Sequence, residues 1–280
     1  MKKQYTSKKL SLLERAAAVP HMVWAVMFIV APLLFVAFFA FTDTKGSFTF
    51  SNVELLSSYS HIFFLSICFA LVATFFCLLI GYPLAFVISR AKPSTQKLLT
   101  VMLMLPMWIS LLIRTYSLMT LLDNGGLVNS LLTAIGLDPI KMVGTGGAVI
   151  LGMIYDFLPY MVLPIYTSMQ KMDHRLLEAA ADLGCNSFQT MFRVVLPLTV
   201  PGIISGITMV FVPSISTFYI SQKLGGGNFD LIGDTIERQF KYPSTYHVGA
   251  AISLVMMILI LISVAVMNRF SDSDGEEMIV

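Results

Sequence analysis

Six long runs of apolar residues restrict this 280-residue chain to structures that cross a membrane. A helical span needs about 20 predominantly apolar residues, because each residue rises about 1.5 Å through a hydrocarbon core about 30 Å thick. The runs are continuous rather than alternating, which favours helices over barrel strands. The sequence therefore predicts an all-α membrane protein with six transmembrane helices. The predicted spans are approximately 19–41, 62–89, 98–122, 146–170, 195–221 and 246–268.

The composition excludes other classes of protein. Charged residues make up 12% of the chain and apolar residues 56%, whereas soluble domains carry about 25% charged residues. A net charge of +2 leaves no basic patch typical of nucleic-acid binding. Cys68, Cys77 and Cys185 form no CxxC pair and have no histidine at ligand spacing, so we interpret them as packing residues and predict no metal site.

Basic residues indicate the orientation in the membrane. Twelve Lys and Arg residues flank the spans on the side of the termini, and five lie in the opposite loops. The positive-inside rule therefore predicts cytoplasmic termini, with tails at 1–18 and 269–280 and a transmembrane domain at 19–268. The first run is longer than the apolar region of a typical secretory signal, so we expect an uncleaved anchor.

The loop at 170–197 carries two short amphipathic segments. Asp173 is placed to cap the first. Its apolar stripe comprises Leu176, Ala180 and Leu183, with Leu177 and Ala181 beside them. Gly184 predicts the end of that helix, because glycine adopts the left-handed conformation without steric cost. A second helix is predicted to start at Asn186 or Ser187.

The same loop carries a recognisable pattern. Glu178-Ala179-Ala180, then Gly184 and Val194-Val195-Leu196-Pro197, resemble the EAA signature of permease subunits of binding-protein-dependent ABC importers. Val194 stands where the signature has isoleucine. The resemblance implies the type I ABC importer permease fold and a coupling helix seated in a nucleotide-binding subunit. The residues it assigns to ATPase coupling are Glu178, Ala179, Ala180, Asp182, Gly184, Leu196 and Pro197.

The resemblance also implies partners. They are a second permease subunit, an ATPase dimer and an extracytoplasmic solute-binding protein, assembled in the lipid bilayer of a bacterial inner membrane. The chain contains no GxxxxGK[ST] sequence, so ATP and magnesium are expected on the partner ATPase. We expect the chain itself to be a transport subunit rather than an enzyme, without a cofactor of its own.

Within the family the chain is most similar to the first permease subunit of spermidine/putrescine importers. The supporting strings are Gly81-Tyr82-Pro83, Leu112-Ile113-Arg114-Thr115-Tyr116, the segment 158–164 and the segment 197–203. Permeases for other small solutes share parts of these strings. The resemblance therefore implies polyamine transport and leaves another small solute as the alternative.

A polyamine pathway requires carboxylates for ammonium groups and aromatic faces for cations and methylenes. Asp156 lies in the middle of the fourth predicted span and is our candidate for contact with the solute, while a structural ion pair with Arg114 is the alternative. The other candidate pathway residues are Arg114 and the aromatic residues Tyr155, Tyr160, Trp108, Tyr116, Phe218 and Tyr219. Binding-protein docking or an outer gate is assigned to Asp123, Asp234 and Glu237.

Two other classes of function remain as rivals. An ion-coupled secondary transporter would usually show an internal repeat and broken helices with ionisable groups at mid-membrane; in the spans only Arg114 and Asp156 qualify. An intramembrane enzyme is disfavoured because the four histidines are scattered and no HExxH sequence occurs.

Overall fold

The computed structural model describes residues 12–43, 45–173 and 175–277, with side chains described between residues 19 and 269. Helices dominate these residues, and the one β contact among them is an antiparallel bridge between Thr42 and Phe48. The all-α prediction is confirmed. Most of the predicted N-terminal tail, His174 and residues 278–280 lie outside the described part of the chain.

Fourteen α-helices follow one another in the described residues. They are α1 (Leu12–Ala25), α2 (Ala31–Ala40), α3 (Ser51–Glu54), α4 (Ser60–Arg90), α5 (Pro93–Met104), α6 (Leu111–Leu122), α7 (Leu127–Ala134), α8 (Gly146–Gln170), α9 (Arg175–Asp182), α10 (Ser187–Thr190), α11 (Leu196–Ser216), α12 (Tyr219–Leu224), α13 (Ile232–Lys241) and α14 (Tyr246–Glu277). Two five-residue π turns, Val26–Val30 and Met191–Val195, join α1 to α2 and α10 to α11. Short 3₁₀ segments are Leu55–Tyr59, Leu105–Trp108 and Pro243–Thr245.

Five continuous helical segments are long and apolar enough to cross a membrane, and a sixth span results if one bent pair is counted as a single crossing. The continuous segments are Val19–Ala40, Ser51–Arg90, Gly146–Gln170, Ser187–Ser216 and Pro243–Arg269. They contain most of the first, second, fourth, fifth and sixth predicted runs. The predicted bounds of the fourth run, 146–170, coincide with those of α8.

The third predicted span is not one continuous helix, and this expectation was wrong. Pro93–Trp108 and Leu111–Ala134 meet at an angle of 94°. Pro106 lacks the N–H group that would continue the helix, and Ile109 and Ser110 adopt extended backbone angles. The chain therefore turns sharply between α5 and α6.

Two other boundaries differ from the prediction. The fifth run was expected to continue to residue 221, but α11 ends at Ser216 because Thr217 is extended, with ψ of 139°. Ser221 belongs to the separate helix α12. At the other end of the chain, α14 continues through the predicted C-terminal tail to Glu277.

The chain divides into two units. The first comprises the described residues of Met1–Ser57 together with Gln239–Met256. In it, the Asn52 side chain donates hydrogen bonds to the carbonyls of Ala40 (3.2 Å) and Thr42 (3.0 Å). These bonds satisfy carbonyl groups where α2 ends, which a helix terminus otherwise leaves unpaired.

The second unit comprises the described residues of Ser58–Arg238 and Met257–Val280. Its core is made by α4, α8 and α11, which pack side by side around buried residues such as Met161 and Ile165. A Cβ atom added at Gly202 would lie 2.8 Å from the Pro164 carbonyl oxygen, and one at Gly206 would lie 2.8 Å from Met161 Sδ. These helices can approach closely because glycine stands at the contacts, as is common between membrane helices.

We predict that Gly202→Ala loosens the contact between α8 and α11. The added methyl group meets the Pro164 carbonyl, a backbone atom that cannot rotate away, and such overpacking typically costs about 1–3 kcal/mol. The measurement is the thermal unfolding midpoint of the purified protein in detergent. Gly147→Ala is the control, because the nearest atom to its Cβ is Thr145 Oγ1 at 3.8 Å; an equal drop in both variants would contradict the prediction.

Candidate functional site

Local backbone chemistry shapes the loop that carries the EAA pattern. The Asp173 side chain accepts a hydrogen bond from the Arg175 amide (3.0 Å), which caps α9 as predicted. At the other end Gly184 adopts φ of +78°. The amides of Gly184 and Cys185 donate to the carbonyls of Ala181 (2.9 Å) and Ala180 (3.0 Å). This is a Schellman motif, so the predicted glycine stop is confirmed.

The second half of the loop turns back toward the membrane through α10. Asn186 caps this helix, and its side chain and that of Gln189 form a reciprocal capping box. The predicted helix start is therefore confirmed. The π turn Met191–Val195 follows, and Leu196 opens α11 with Pro197 directly behind it. Pro197 lacks the amide hydrogen that would continue the backbone hydrogen bonds of this helical segment, and it directly follows the π turn.

The predicted apolar stripe of α9 is only partly buried. Ala180 is 5% exposed and Leu177 is partly buried, so these two side chains face the rest of the chain. Leu176 is 44% exposed and Leu183 is 85% exposed. α9 therefore rests on its own chain through Ala180 and Leu177, while Leu176 and Leu183 remain exposed.

The outward surface of the loop combines apolar and acidic groups. Glu178, Ala179 and Asp182 are exposed on α9, beside Leu176 and Leu183. Phe188 and Phe192 are also exposed, and their rings lie 4.5 Å apart between centroids. Exposed apolar side chains rimmed by charge are typical of a docking surface. We call the exposed residues Leu176, Glu178, Ala179 and Asp182, together with Leu183 directly after the helix, the outer face of α9.

Arg114 and Asp156 form a buried ion pair between α6 and α8. The Arg114 Nη1 atom lies 3.2 Å from Asp156 Oδ1, and the two side chains are 7% and 0% exposed. The Thr115 hydroxyl donates to Asp156 Oδ2 at 3.1 Å. The alternative that the sequence left open, a structural pair, therefore accounts for both charges in this conformation. Contact between Asp156 and a solute stays a prediction.

The aromatic candidates do not converge on one place. Trp108 (77% exposed), Tyr116 (58%), Tyr155 (44%) and Phe218 (41%) lie at the surface of the chain. Tyr219 is partly buried, and the Lys223 ammonium lies 5.6 Å from its ring centroid. A pathway between two subunits would be lined by residues exposed on each subunit, so their roles stay predictions.

A groove of about 670 Å³ between α8 and α11 was missed by the sequence analysis. Its polar lining consists of Tyr160, Thr167, Ser168, Lys171 and Ser205. Tyr160, a predicted pathway residue, is part of this lining. The available signal was the run of hydroxyl residues at helical spacing on α8 and α11, which hydropathy alone does not reveal.

The three outer acidic candidates have different environments. Asp123 is exposed, and Glu237 accepts a hydrogen bond from Gln222 at 3.3 Å. Asp234 is only 4% exposed, and its Oδ2 accepts from the Leu231 amide at 3.0 Å. An outer docking role for Asp234 does not fit this placement, because its carboxylate serves the N-terminus of α13 instead.

The described residues thus combine several membrane-spanning helices with an amphipathic loop before the penultimate span. Residues 77–273 match the family of binding-protein-dependent transport system inner membrane components. The chain belongs to this family, and with its apolar helices it is a multi-pass inner-membrane protein that acts as a permease subunit.

Three relatives named as permease proteins match most of the chain. The spermidine/putrescine transport system permease protein PotB of Haemophilus influenzae is 37% identical over 256 residues, which cover 88% of this chain and 90% of that protein. PotB of Escherichia coli K12 is also 37% identical, over 89% of this chain and 94% of its own length. The inner membrane ABC transporter permease protein YdcU of Escherichia coli is 28% identical over 263 residues, or 87% of this chain and 84% of YdcU.

A solved structure confirms the fold. A bacterial ABC transporter involved in the import of the acidic polysaccharide alginate contains a chain that superposes with a TM-score of 0.75 at 22% identity. The match covers 93% of this chain and 95% of that chain. The ABC importer permease fold predicted from the loop is therefore confirmed.

We predict that breaking the Arg114–Asp156 pair destabilises the protein more than removing both charges. Arg114→Gln or Asp156→Asn leaves one buried charge without its partner, which costs about 3–5 kcal/mol in comparable cases. The double variant should recover most of the loss, as measured by the thermal unfolding midpoint and the yield of folded protein. A fully stable Asp156→Asn variant that no longer supports uptake would instead place the carboxylate in the solute pathway.

Asp234 gives a prediction on pH. Burial raises the pKa of Asp234 above its ordinary value of 3.8, and the hydrogen bond from the Leu231 amide only partly opposes this. Its protonated form is therefore favoured in the folded state, so this contribution to stability is full below pH 3.8 and is lost as the pH rises through the raised value.

Asp234→Asn should therefore flatten the decline in unfolding midpoint above pH 3.8, while Asp234→Ala loses the cap and lowers the midpoint by the equivalent of about 1 kcal/mol. The measurement is a series of thermal melts in detergent at increasing pH. Asp138→Asn, at an exposed position, is the control. A wild-type slope retained by Asp234→Asn would contradict the assignment.

Proposed function

We propose that this chain is the permease subunit of an ATP-driven importer of polyamines, spermidine or putrescine. The observation that carries the proposal is the 37% identity to PotB permeases over nearly 90% of both chains. The outer face of α9 adds support, because it presents exposed apolar side chains on a helix fixed at both ends. In this proposal the chain forms the translocation pathway together with a second permease subunit.

The driving reaction takes place on another polypeptide. An ATPase dimer binds ATP and magnesium, and its closure is transmitted to the spans through α9. An extracytoplasmic binding protein delivers the solute to the opposite surface. The distribution of Lys and Arg supports cytoplasmic termini, and in this proposal the α9 loop lies on the same side of the membrane as the ATPase.

The lining of the groove between α8 and α11 offers only weak interactions to a cation. Its hydroxyl groups accept hydrogen bonds from ammonium groups, and Tyr160 offers an aromatic face. Lys171 is the one charged residue in its lining. The lining of this groove contains no carboxylate, so in this proposal discrimination between polyamines rests mainly with the binding protein.

Uptake by the reconstituted complex tests the proposal. Proteoliposomes containing this chain, its second permease and its ATPase, with the binding protein outside, should accumulate labelled spermidine or putrescine when ATP is inside. Hydrolysis should increase when the loaded binding protein is added. Equal uptake without ATP would favour a secondary transporter, and ATP-dependent uptake of a different small solute alone would reject the polyamine assignment.

We predict that Leu183→Glu prevents the ATPase from associating with the permease. Leu183 is 85% exposed at the end of α9, so a charge there leaves the fold intact but places an unpaired carboxylate in the proposed interface, where such a group is costly. The measurement is the amount of ATPase that copurifies with this chain. Leu137→Glu is the control, because Leu137 is 55% exposed in a predicted extracytoplasmic loop; normal ATPase recovery and coupled uptake with Leu183→Glu would contradict the interface.

A further inference from the structure

Tyr82 connects α4 to the two sides of the π turn behind the coupling loop. Its hydroxyl oxygen lies 3.2 Å from Thr199 Oγ1 on α11 and 3.8 Å from Met191 Sδ at the start of the π turn. Tyr82 and Thr199 are 117 residues apart in the chain. Tyr82 therefore links α4 both to Met191, next to the coupling loop, and to Thr199 in the membrane-spanning helix α11.

The Tyr82–Thr199 contact continues to the backbone of the π turn. Thr199 is 0% exposed, and its hydroxyl lies 2.9 Å from the Val195 carbonyl oxygen and 3.0 Å from that of Leu196. The Tyr82 hydroxyl also lies within donating distance of Met191 Sδ, and each hydroxyl carries one proton. Whichever hydroxyl is the donor in the Tyr82–Thr199 pair, the contacts join α4 to both ends of the π turn.

The π turn is a place where helical register can change. The Leu196 amide donates to the Met191 carbonyl, one residue further back than in an α-helix. The residues at both ends of the turn, Thr190 and Leu196, have ordinary helical angles, so conversion between π and α geometry requires no strained backbone. Single π turns inside helices often mark functional positions.

The turn also lies on the only continuous backbone route from α9 to α11. Met191 and Val195 line a groove of about 580 Å³ together with Leu177 and Ala181 of α9 and Arg90 at the end of α4. The groove leaves α9 incompletely packed against α4. A displacement of α9 could therefore be absorbed in the turn instead of reaching the spans, unless something holds the turn.

We propose that Tyr82 is a positioning residue for energy coupling. Its hydroxyl fixes the π turn Met191–Val195 to α4, so that a displacement of α9 moves α4 and α11 together. This inference rests on the proposed function, since it assumes that α9 is pushed by an ATPase. Without the hydroxyl, part of the displacement of α9 changes the register of the turn instead of moving the spans. ATP hydrolysis then continues with less transport.

The test is the number of solute molecules imported per ATP hydrolysed by the reconstituted complex. Tyr82→Phe removes the hydroxyl and keeps the ring, and the ratio should fall about fivefold, the factor that one net hydrogen bond supports. Thr199→Val should lower the ratio similarly. Thr199→Ser keeps the hydroxyl and should therefore retain the wild-type ratio. The Tyr82→Phe/Thr199→Val double variant should resemble either single variant, because both act through one bond.

Two comparisons separate a coupling role from a structural one. A purely structural role would reduce assembled complex, ATPase rate and uptake in parallel and leave the ratio unchanged, which would overturn the inference. Tyr242→Phe, at a 60% exposed position, is the control for loss of a tyrosine hydroxyl. If wild-type complex shows no ATP-dependent uptake of spermidine or putrescine, the proposed function fails and the inference fails with it; an active wild type with an unchanged ratio in Tyr82→Phe rejects the inference alone.

Discussion

The close packing of α4, α8 and α11 is the constraint on which the rest of the second unit depends. In a bilayer, lipid tails are as apolar as leucine, so helices associate through close van der Waals contact rather than the hydrophobic effect. Gly81, Gly202 and Gly206 provide this contact, since a Cβ at any of them would lie within about 3 Å of α8 atoms. The same packing brings Tyr82 to Thr199, and α8 itself provides the Asp156 carboxylate that meets Arg114.

The coupling loop obeys a different rule, because its geometry is set by backbone hydrogen bonds at helix ends. The Asp173 cap, the Schellman motif at Gly184 and the capping box at Asn186 fix where α9 and α10 begin and end. A short helix whose ends are fixed in this way moves as a unit. Side-chain packing then decides which residues are buried: Ala180 is 5% exposed, whereas Leu183 is 85% exposed.

Sequence alone predicted what depends on neighbours along the chain. Long apolar runs, the glycine stop and the cap at Asn186 are local signals, and the structure agrees with them. The break between α5 and α6 was not predictable from Pro106, because Pro83, Pro159 and Pro201 lie inside continuous helices. Whether a proline interrupts a helix depends on the tertiary packing around that proline.

The side chains that sequence reasoning misplaced depend on distant contacts. The burial of Asp234 depends on how α13 packs. The Ile232 amide at the start of α13 donates a hydrogen bond to the hydroxyl of Ser66, which lies 166 positions earlier in the chain. The inward direction of Ala180 depends on how α9 rests on its own chain, and the Tyr82–Thr199 bond joins two different spans. The family signature supplied the coupling residues, but their orientation required the structure.

The central claim is that α9 engages an ATP-hydrolysing partner with one defined face. A photoreactive amino acid introduced at position 183 or at position 180, in complex that is actively importing, tests this claim most directly. The account predicts a covalent adduct with the ATP-hydrolysing subunit from position 183 and none from position 180. Adducts of equal yield from both positions, or an adduct with lipid alone from position 183, would contradict it.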